Sequence, residues 1–327
     1  MDNSQQIYPE TSSSLPPQLE PVTMDKGDSG AITESIEKPS FVEDNPQLAL
    51  QGSTLMEMSD LQNQEFAKIK WLHFFAFLFF FIQTIIYSSL SVEAQANPSI
   101  GVPGECEGPG CKSTLQDLGE TNPIWIIPLF CALACFDHLV CFGLCYKYSE
   151  LTKYWIFDVG SNPLRWLEYS VSASFMAVAI SILCGITDVH LWMSIFIMHG
   201  VGMLLGIIIE ILPKKEDVTD SFNKRFQTIR EIAYWLAFVS IFSPWLIMCC
   251  YFFRAIDDSV PKFVYAAFLG TLVLFLTFGI NSYLHNILNL YSFTTAEIIY
   301  ICLSFTAKTF LAADVFGGLN ASSSTDD

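Results

Sequence analysis

The chain has 327 residues, of which 52% are hydrophobic, and its mean hydropathy is +0.41. This composition excludes an ordinary soluble domain of this length and is typical of a multi-pass membrane protein. The formal net charge of −17 also excludes nucleic-acid binding, which needs a basic surface.

Residues 1–64 are rich in Ser, Pro, Gln and acidic side chains, and the first 65 residues hold twelve acidic but only two basic residues. Such a segment cannot bury enough apolar surface to fold, so it predicts a disordered acidic N-terminal tail. Its first ten residues, MDNSQQIYPE, lack the apolar core of a cleavable signal peptide. The first membrane helix is therefore expected to direct insertion.

Seven apolar stretches follow the tail, each long enough to cross about 30 Å of hydrocarbon. They run over 71–90, 123–146, 163–185, 189–212, 232–253, 262–284 and 295–317. The sequence thus predicts an all-α membrane protein with a seven-helix domain over 65–318 and a short C-terminal tail over 319–327. At the start of the seventh helix, TTAE at 294–297 fits a capping box, with Thr294 as the cap and Glu297 reaching back.

Basic residues flank these stretches unevenly, with ten on the side of the N-terminus and three on the opposite side. The positive-inside rule then predicts a cytoplasmic N-terminus and an extracellular C-terminus. The first outer loop holds Cys106 and Cys111, and whether they form a disulfide depends on an oxidising compartment. The sequon at Asn320 would face outward, where it is open to glycosylation.

Lys308 lies near the middle of the seventh stretch, in IYICLSFTAKTFLAADVFGG. A lysine at this depth costs several kcal/mol unless it is paired, snorkels or is neutral. Two interpretations are open: a structural lysine paired to a carboxylate, or a neutral amine that attacks an aldehyde to form a Schiff base.

A charged group at Lys308 needs a partner, and the candidate is Glu168 in RWLEYS of the third stretch. Counting residues from the helix ends leaves a depth gap of roughly 12 Å between the two, which tilt and side-chain direction must close. Of the other acids in the apolar stretches, Glu210 and Asp314 are interpreted as interfacial. Asp137 neighbours His138 and is a candidate for a polar network.

The seventh stretch, with Ser304 one turn before Lys308, resembles the retinal-attachment helix of heliorhodopsins, and RWLEYS resembles the third-helix motif of that family. The resemblance extends to Pro244-Trp245 and to FVY at 263–265, and it runs from Lys68 to Gly317. It implies a seven-helix rhodopsin bundle with all-trans retinal on Lys308. Glu168 would be its counterion and Ser304 a hydrogen-bonding neighbour.

The same resemblance assigns Met176, Trp245 and Phe275 to the retinal pocket, although each of them also suits plain core packing. His138 matches a histidine that helps to form a polar cavity near the Schiff base; the alternative is a satisfied buried histidine.

The sequence departs from the family at Phe80, where a first-helix histidine commonly pairs with the second-helix one. His73 lies two turns nearer the cytoplasm, and depth counting predicts that it does not substitute. His199 stands where the family often has asparagine, and it is interpreted either as a proton relay or as a structural hydrogen-bonding residue.

The resemblance implies a light receptor with a slow photocycle, embedded in the cell membrane as a homodimer with an unknown signalling partner. Ala179 agrees with this function, because many outward proton pumps keep a carboxylate at that position. The main alternative is a light-gated proton conductor, and a third is a retinal-free receptor or transporter. An enzyme or a metal site is not expected, and the second-helix cysteines are interpreted as packing residues.

Overall fold

The computed structural model describes residues 46–90, 96–106, 111–212, 221–255 and 262–323. The chain divides into two compact units, Met1–Ser53 and Thr54–Asp327. Helix α1 begins at Pro46, so residues 46–64 of the predicted tail are helical; residues 1–45 lie outside the described part. The predicted domain boundary at residue 64 stays a prediction.

Helices make up most of the residues that the structure describes. Their bounds are α1 Pro46–Ser89, α2 Ile126–Lys147, α3 Ser149–Lys153, α4 Pro163–Leu183, α5 Val189–Ile211, α6 Ser221–Ala255, α7 Lys262–Ser282 and α8 Phe293–Ser323. All except the short α3 are long and apolar enough to cross a membrane, which gives seven spans among the described residues. The predicted fold class of a seven-span helical bundle is confirmed.

Local sequence signals mark where several of these helices begin. Asn162 caps α4 by accepting a hydrogen bond from the backbone N of Arg165, and Pro163 occupies the first helical position. Asp188 caps α5 in the same way, through the backbone N of His190. At the start of α8 the predicted capping box is wrong. The hydroxyl of Ser292 accepts from the backbone N of Thr295, and Glu297 turns into the bundle.

Helix α4 lies at the centre of the bundle. Of the most apolar stretch of α4, 61% is buried inside the protein, whereas the corresponding share in the other described spans is between 28% and 44%. Helix α5 approaches it closely at Gly206, where a Cβ atom would overlap the Trp166 ring. The helix that carries the RWLEYS motif is therefore the most buried of the seven described spans.

An antiparallel hairpin, β1 Ser99–Cys106 and β2 Cys111–Asp117, occupies the first long loop, and the sequence did not predict it. The backbone N of Ser99 donates to the carbonyl of Thr187 at 2.9 Å, which ties the hairpin to the α4–α5 connection. Cys106 and Cys111 stand opposite each other in the register, but their side chains lie outside the described part. Their disulfide, like glycosylation at Asn320, stays a prediction.

Candidate functional site

Lys308 and Glu168 meet in the interior of the bundle. Lys308 is only 2% exposed, and its Nζ donates to Glu168 Oε1 at 2.9 Å and to Ser304 Oγ at 3.0 Å. Ser304 lies one helical turn before Lys308, so both side chains face α4. The depth gap expected from the sequence is closed, and the structure brings together the three residues that the motifs singled out.

Two aromatic rings complete the surroundings of Lys308 Nζ. The ring centroid of Tyr169 lies 5.1 Å from Nζ and that of Phe80 lies 5.7 Å from it. Both distances suit an attraction between a cation and a ring face. The Tyr169 hydroxyl donates to the carbonyl of Tyr300 at 3.1 Å, so its ring is held in place by α8.

A small cavity of about 20 Å³ begins at Lys308. Its wall includes Met176 and Phe275, as the resemblance implied. Trp245 does not line the cavity, and it packs on Phe275 with ring centroids 5.6 Å apart. The sequence analysis missed the remaining lining residues, which are Tyr169, Ser172, Ala173, Met203, Phe278 and Ala307.

These residues fit a long apolar aldehyde such as retinal. A buried amine with a carboxylate partner stands at one end, and methionine and aromatic side chains form the walls. The buried Ser172 Oγ in the wall has no hydrogen-bond partner within the described ranges, so it is available to a polar atom of a ligand. A ligand of that size requires movement of Met176 and Met203, which are flexible side chains that adapt to irregular shapes.

A pair of histidines lies beside this site and corrects the expectation for His73. His73 Nδ1 and His138 Nδ1 are 2.9 Å apart, so one ring donates a hydrogen bond to the other. Asp137 Oδ2 lies 3.8 Å from His138 Nδ1, which places the predicted acid in this network. The predicted first span begins at residue 71, whereas α1 begins at Pro46, so His73 lies well inside the helix and reaches His138.

Phe80 occupies the place between the histidine pair and the lysine site. It is fully buried, and its ring stacks on the His138 ring with centroids 5.6 Å apart and planes 17° apart. Phe80 and His73 are two turns apart on the same face of α1, so both point toward α2.

A second charged cluster is centred on Arg165, in the first turn of α4. We call the end of the bundle at which α4 and α8 begin the inner end. Arg165 is buried there and forms ion pairs with both Glu210 and Glu297. Its guanidinium also lies over the Tyr300 ring, 4.1 Å from the centroid. Glu210 lies at the inner end of α5 with its side chain fully buried in this cluster, and its interfacial depth stays a prediction.

Hydrogen bonds from the loop before α4 complete this cluster. Asn162 Nδ2 donates to Glu297 Oε1 at 2.7 Å, and the backbone N of Asn162 donates to Glu210 Oε2 at 3.1 Å. Ser161 Oγ donates to the same Glu210 oxygen at 3.3 Å. Buried carboxylates need such partners, and here the loop geometry supplies them.

An inner cavity of about 260 Å³ adjoins both clusters. Its polar lining includes His73, Asn162 and Glu297, and the rest of its wall is mostly apolar. Its volume is more than ten times that of the cavity at Lys308. Because His73, Asn162 and Glu297 all line it, the cavity borders both the histidine pair and the Arg165 cluster.

His199 and Asp314 lie apart from these clusters. His199 is fully buried against the Phe275 ring, with centroids 5.0 Å apart, and its nitrogens have no hydrogen-bond partner in the part of the chain that the structure describes. Asp314 is partly exposed, six residues after Lys308 on α8, and its interfacial position stays a prediction.

Comparison with known proteins agrees with this arrangement. The family model described as Heliorhodopsin matches residues 69–319, which is most of the chain and all of the charged clusters described above. No curated protein matches the chain. The match and the seven spans identify an integral multi-pass membrane protein of the rhodopsin type, and the chain belongs to the heliorhodopsin family.

Proposed function

We propose that the protein is a light receptor that holds all-trans retinal as a protonated Schiff base on Lys308. The observation that carries the proposal is the buried Lys308 amine, paired with Glu168 at the end of an apolar cavity. An unpaired cation at this depth would be costly, so the pair marks a functional site rather than a surface contact. Retinal is the chromophore that membership of the family implies.

Each neighbouring side chain then has a defined task. Glu168 holds the negative charge that balances a proton on Lys308 Nζ, and Ser304 accepts a second hydrogen bond from the same atom. Met176 and Phe275 exclude water from the cavity. Retinal supplies light absorption and isomerisation when it is bound, while the protein supplies orientation and electrostatics.

The distribution of polar groups favours a receptor over a light-gated proton conductor. Toward the inner end, Lys308 is followed by Tyr169, the histidine pair and the Arg165 cluster. On the other side the described polar groups are sparser: Gln83 Nε2 donates to Thr309 Oγ1 at 3.0 Å, and Asp314 lies farther along α8. A conductor needs a continuous series of ionisable or hydrated groups on both sides, so this asymmetry favours one-sided proton exchange and a slow photocycle without transport.

Orientation and assembly are part of the proposal. The excess of basic residues at the inner end supports a cytoplasmic N-terminus and an extracellular C-terminus. The resemblance to the family implies a homodimer and a separate signalling partner. A receptor function requires such a partner, because another molecule must detect the light-driven change.

The test is reconstitution of the full chain with all-trans retinal. Wild type should gain a visible absorption band, and borohydride reduction followed by peptide mass spectrometry should place the retinyl group on Lys308. Lys308→Ala should give neither signal, whereas Lys262→Ala, at the exposed start of α7, should keep both. A band retained in Lys308→Ala would refute the attachment, and photocurrent under voltage clamp would favour the conductor.

A further inference from the structure

The Phe80 ring contacts the two groups in the bundle interior between which a proton would have to pass. One is Lys308 Nζ, 5.7 Å from the ring centroid, and the other is the His138 ring, stacked at 5.6 Å. Phe80 itself has no exposed surface. A phenyl ring carries neither a donor nor an acceptor for a conventional hydrogen bond, so it cannot relay a proton.

The hydrogen bonds on either side of Phe80 form two separate sets. Lys308 Nζ is bonded to Glu168 and Ser304, whereas His138 is bonded to His73 and lies near Asp137. Over the described ranges, no hydrogen bond or ion pair joins one set to the other. Proton transfer needs contacts of about 2.6–3.2 Å or a bridging water, and the buried ring fills the place where such a bridge would stand.

The histidine pair offers a proton acceptor on the other side of Phe80. One ring nitrogen accepts from the other across 2.9 Å, and the Asp137 carboxylate lies 3.8 Å from His138 Nδ1. Burial of the pair, Lys308 on α8 and Arg165 on α4 all oppose a positive charge there, so a proton that arrives is expected to pass on rather than to stay. The pair borders the inner cavity through His73, which gives it a route to water.

We propose that Phe80 is a positioning residue, an apolar spacer that keeps the proton of Lys308 Nζ from reaching the His73–His138 pair. The proposal rests on the proposed attachment of retinal to Lys308. With Phe80 in place, a proton leaving Nζ goes first to the Glu168 carboxylate and returns from it. Without the spacer, the proton reaches the His138 ring and can leave through the inner cavity. Phe80 therefore prolongs retention of the proton within the lysine site.

Three variants of the retinal-bound protein test this. Phe80→His places ring nitrogens between the two sets, and Phe80→Leu keeps the position apolar while removing the ring. Phe81→Leu is the matched control, since Phe81 is the next residue on α1 and is 48% exposed. The readouts are the rate at which the visible band is transiently lost after a flash, and the dark rate of hydrogen–deuterium exchange at Lys308 Nζ, followed by Raman spectroscopy.

Phe80→His should accelerate both rates by about tenfold or more, in line with the gain from a positioned proton acceptor. Phe81→Leu should stay within about twofold of wild type. Phe80→Leu should fall between wild type and Phe80→His, because the space left by the ring borders polar groups and can admit a water but supplies no ring nitrogen. Equal rates in Phe80→His and Phe80→Leu would overturn the proposal, whether both match wild type or both differ from it. Nitrogen-15 NMR of histidines in the retinal-free variants should still show the His73–His138 hydrogen bond; its loss in Phe80→Leu would assign Phe80 a packing role instead. Absence of a visible band in wild type would refute the attachment of retinal and not the spacer.

Discussion

Replacement of Arg165 by methionine should be far more damaging than removal of either of its carboxylate partners. The cluster contains one cation and two carboxylates, Glu210 and Glu297, and all three side chains are buried. Arg165→Met leaves two uncompensated negative charges side by side. Glu297→Gln leaves a single neutral ion pair and keeps an acceptor for Asn162.

The magnitudes follow from the cost of breaking a buried ion pair. Removing one partner destabilises a protein by about 3–5 kcal/mol, so Arg165→Met should lower the free energy of unfolding by that amount. For a chain of this size, this loss corresponds to a melting temperature lower by roughly 10 °C. Glu297→Gln should remain within about 1 kcal/mol of wild type, since it exchanges one charged hydrogen bond for a neutral one.

The assay is thermal unfolding of the retinal-free protein in detergent, followed by tryptophan fluorescence. Arg254→Met is the matched control. Arg254 is exposed at the C-terminal end of α6, so this variant should have the melting temperature of wild type. The triple variant Arg165→Met/Glu210→Gln/Glu297→Gln should recover much of the loss, since no buried charge remains. If Glu297→Gln lost as much stability as Arg165→Met, the charge argument would be refuted, because the loss would then follow from the broken ion pair and not from uncompensated charge.

Three further predictions concern the chromophore site and the topology. Glu168→Gln should move the visible band to longer wavelength. It should also lower the Schiff-base pKa, so that the band is lost at a lower pH as the pH is raised, because the carboxylate no longer stabilises a proton on Lys308 Nζ. An unchanged spectrum and titration would assign the counterion to Asp137. His199→Phe should leave the stability of the retinal-free protein unchanged or raise it by about 1 kcal/mol, since two unsatisfied ring nitrogens are removed; a clear loss in the melting assay would mean that His199 has a partner. An epitope tag after Asp327 should be stained on intact cells, whereas a tag before Met1 should require permeabilisation; the reverse result would overturn the proposed orientation.

The seven spans could be predicted because apolar length is a local property of the sequence. Each predicted stretch overlaps one observed span, and the differences lie at the helix ends. The hairpin could not be predicted in this way. The first strand, SIGVPGEC, contains Gly and Pro, and the second, CKSTLQD, is mostly polar. Their pairing depends on a partner strand rather than on local pattern.

Pairings within the site show the same limit. The Lys308–Glu168 contact was predictable only with the family resemblance. A buried cation requires a carboxylate, but depth counting did not select Glu168, and the likeness of RWLEYS to the third-helix motif did. The Arg165 cluster was not predictable, since an arginine at the cytoplasmic end of a span is interpreted as one more basic residue on the cytoplasmic side. Only the loop before α4, which turns Asn162 toward Glu210 and Glu297, shows that the arginine points inward.

Matched stripes on two helices connect the lysine site to the inner end of the bundle. On α8 the stripe consists of Glu297, Tyr300, Ser304 and Lys308, at spacings of three or four residues that keep them on one helix face. On α4, Arg165 and Glu168 are one turn apart, and they face Glu297 and Lys308 respectively.

Because Arg165 and Glu168 lie on one helix, we expect a movement of α4 to affect both ion pairs. Under the proposed function, a change of charge at Lys308 would alter the force on Glu168, and a rotation or translation of α4 would displace Arg165 from its two carboxylates. The Trp166 and Tyr300 rings, 5.6 Å apart, pack between α4 and α8. The proposed function therefore makes the inner end the face at which a light-driven change in the buried site is expected to become available to a partner.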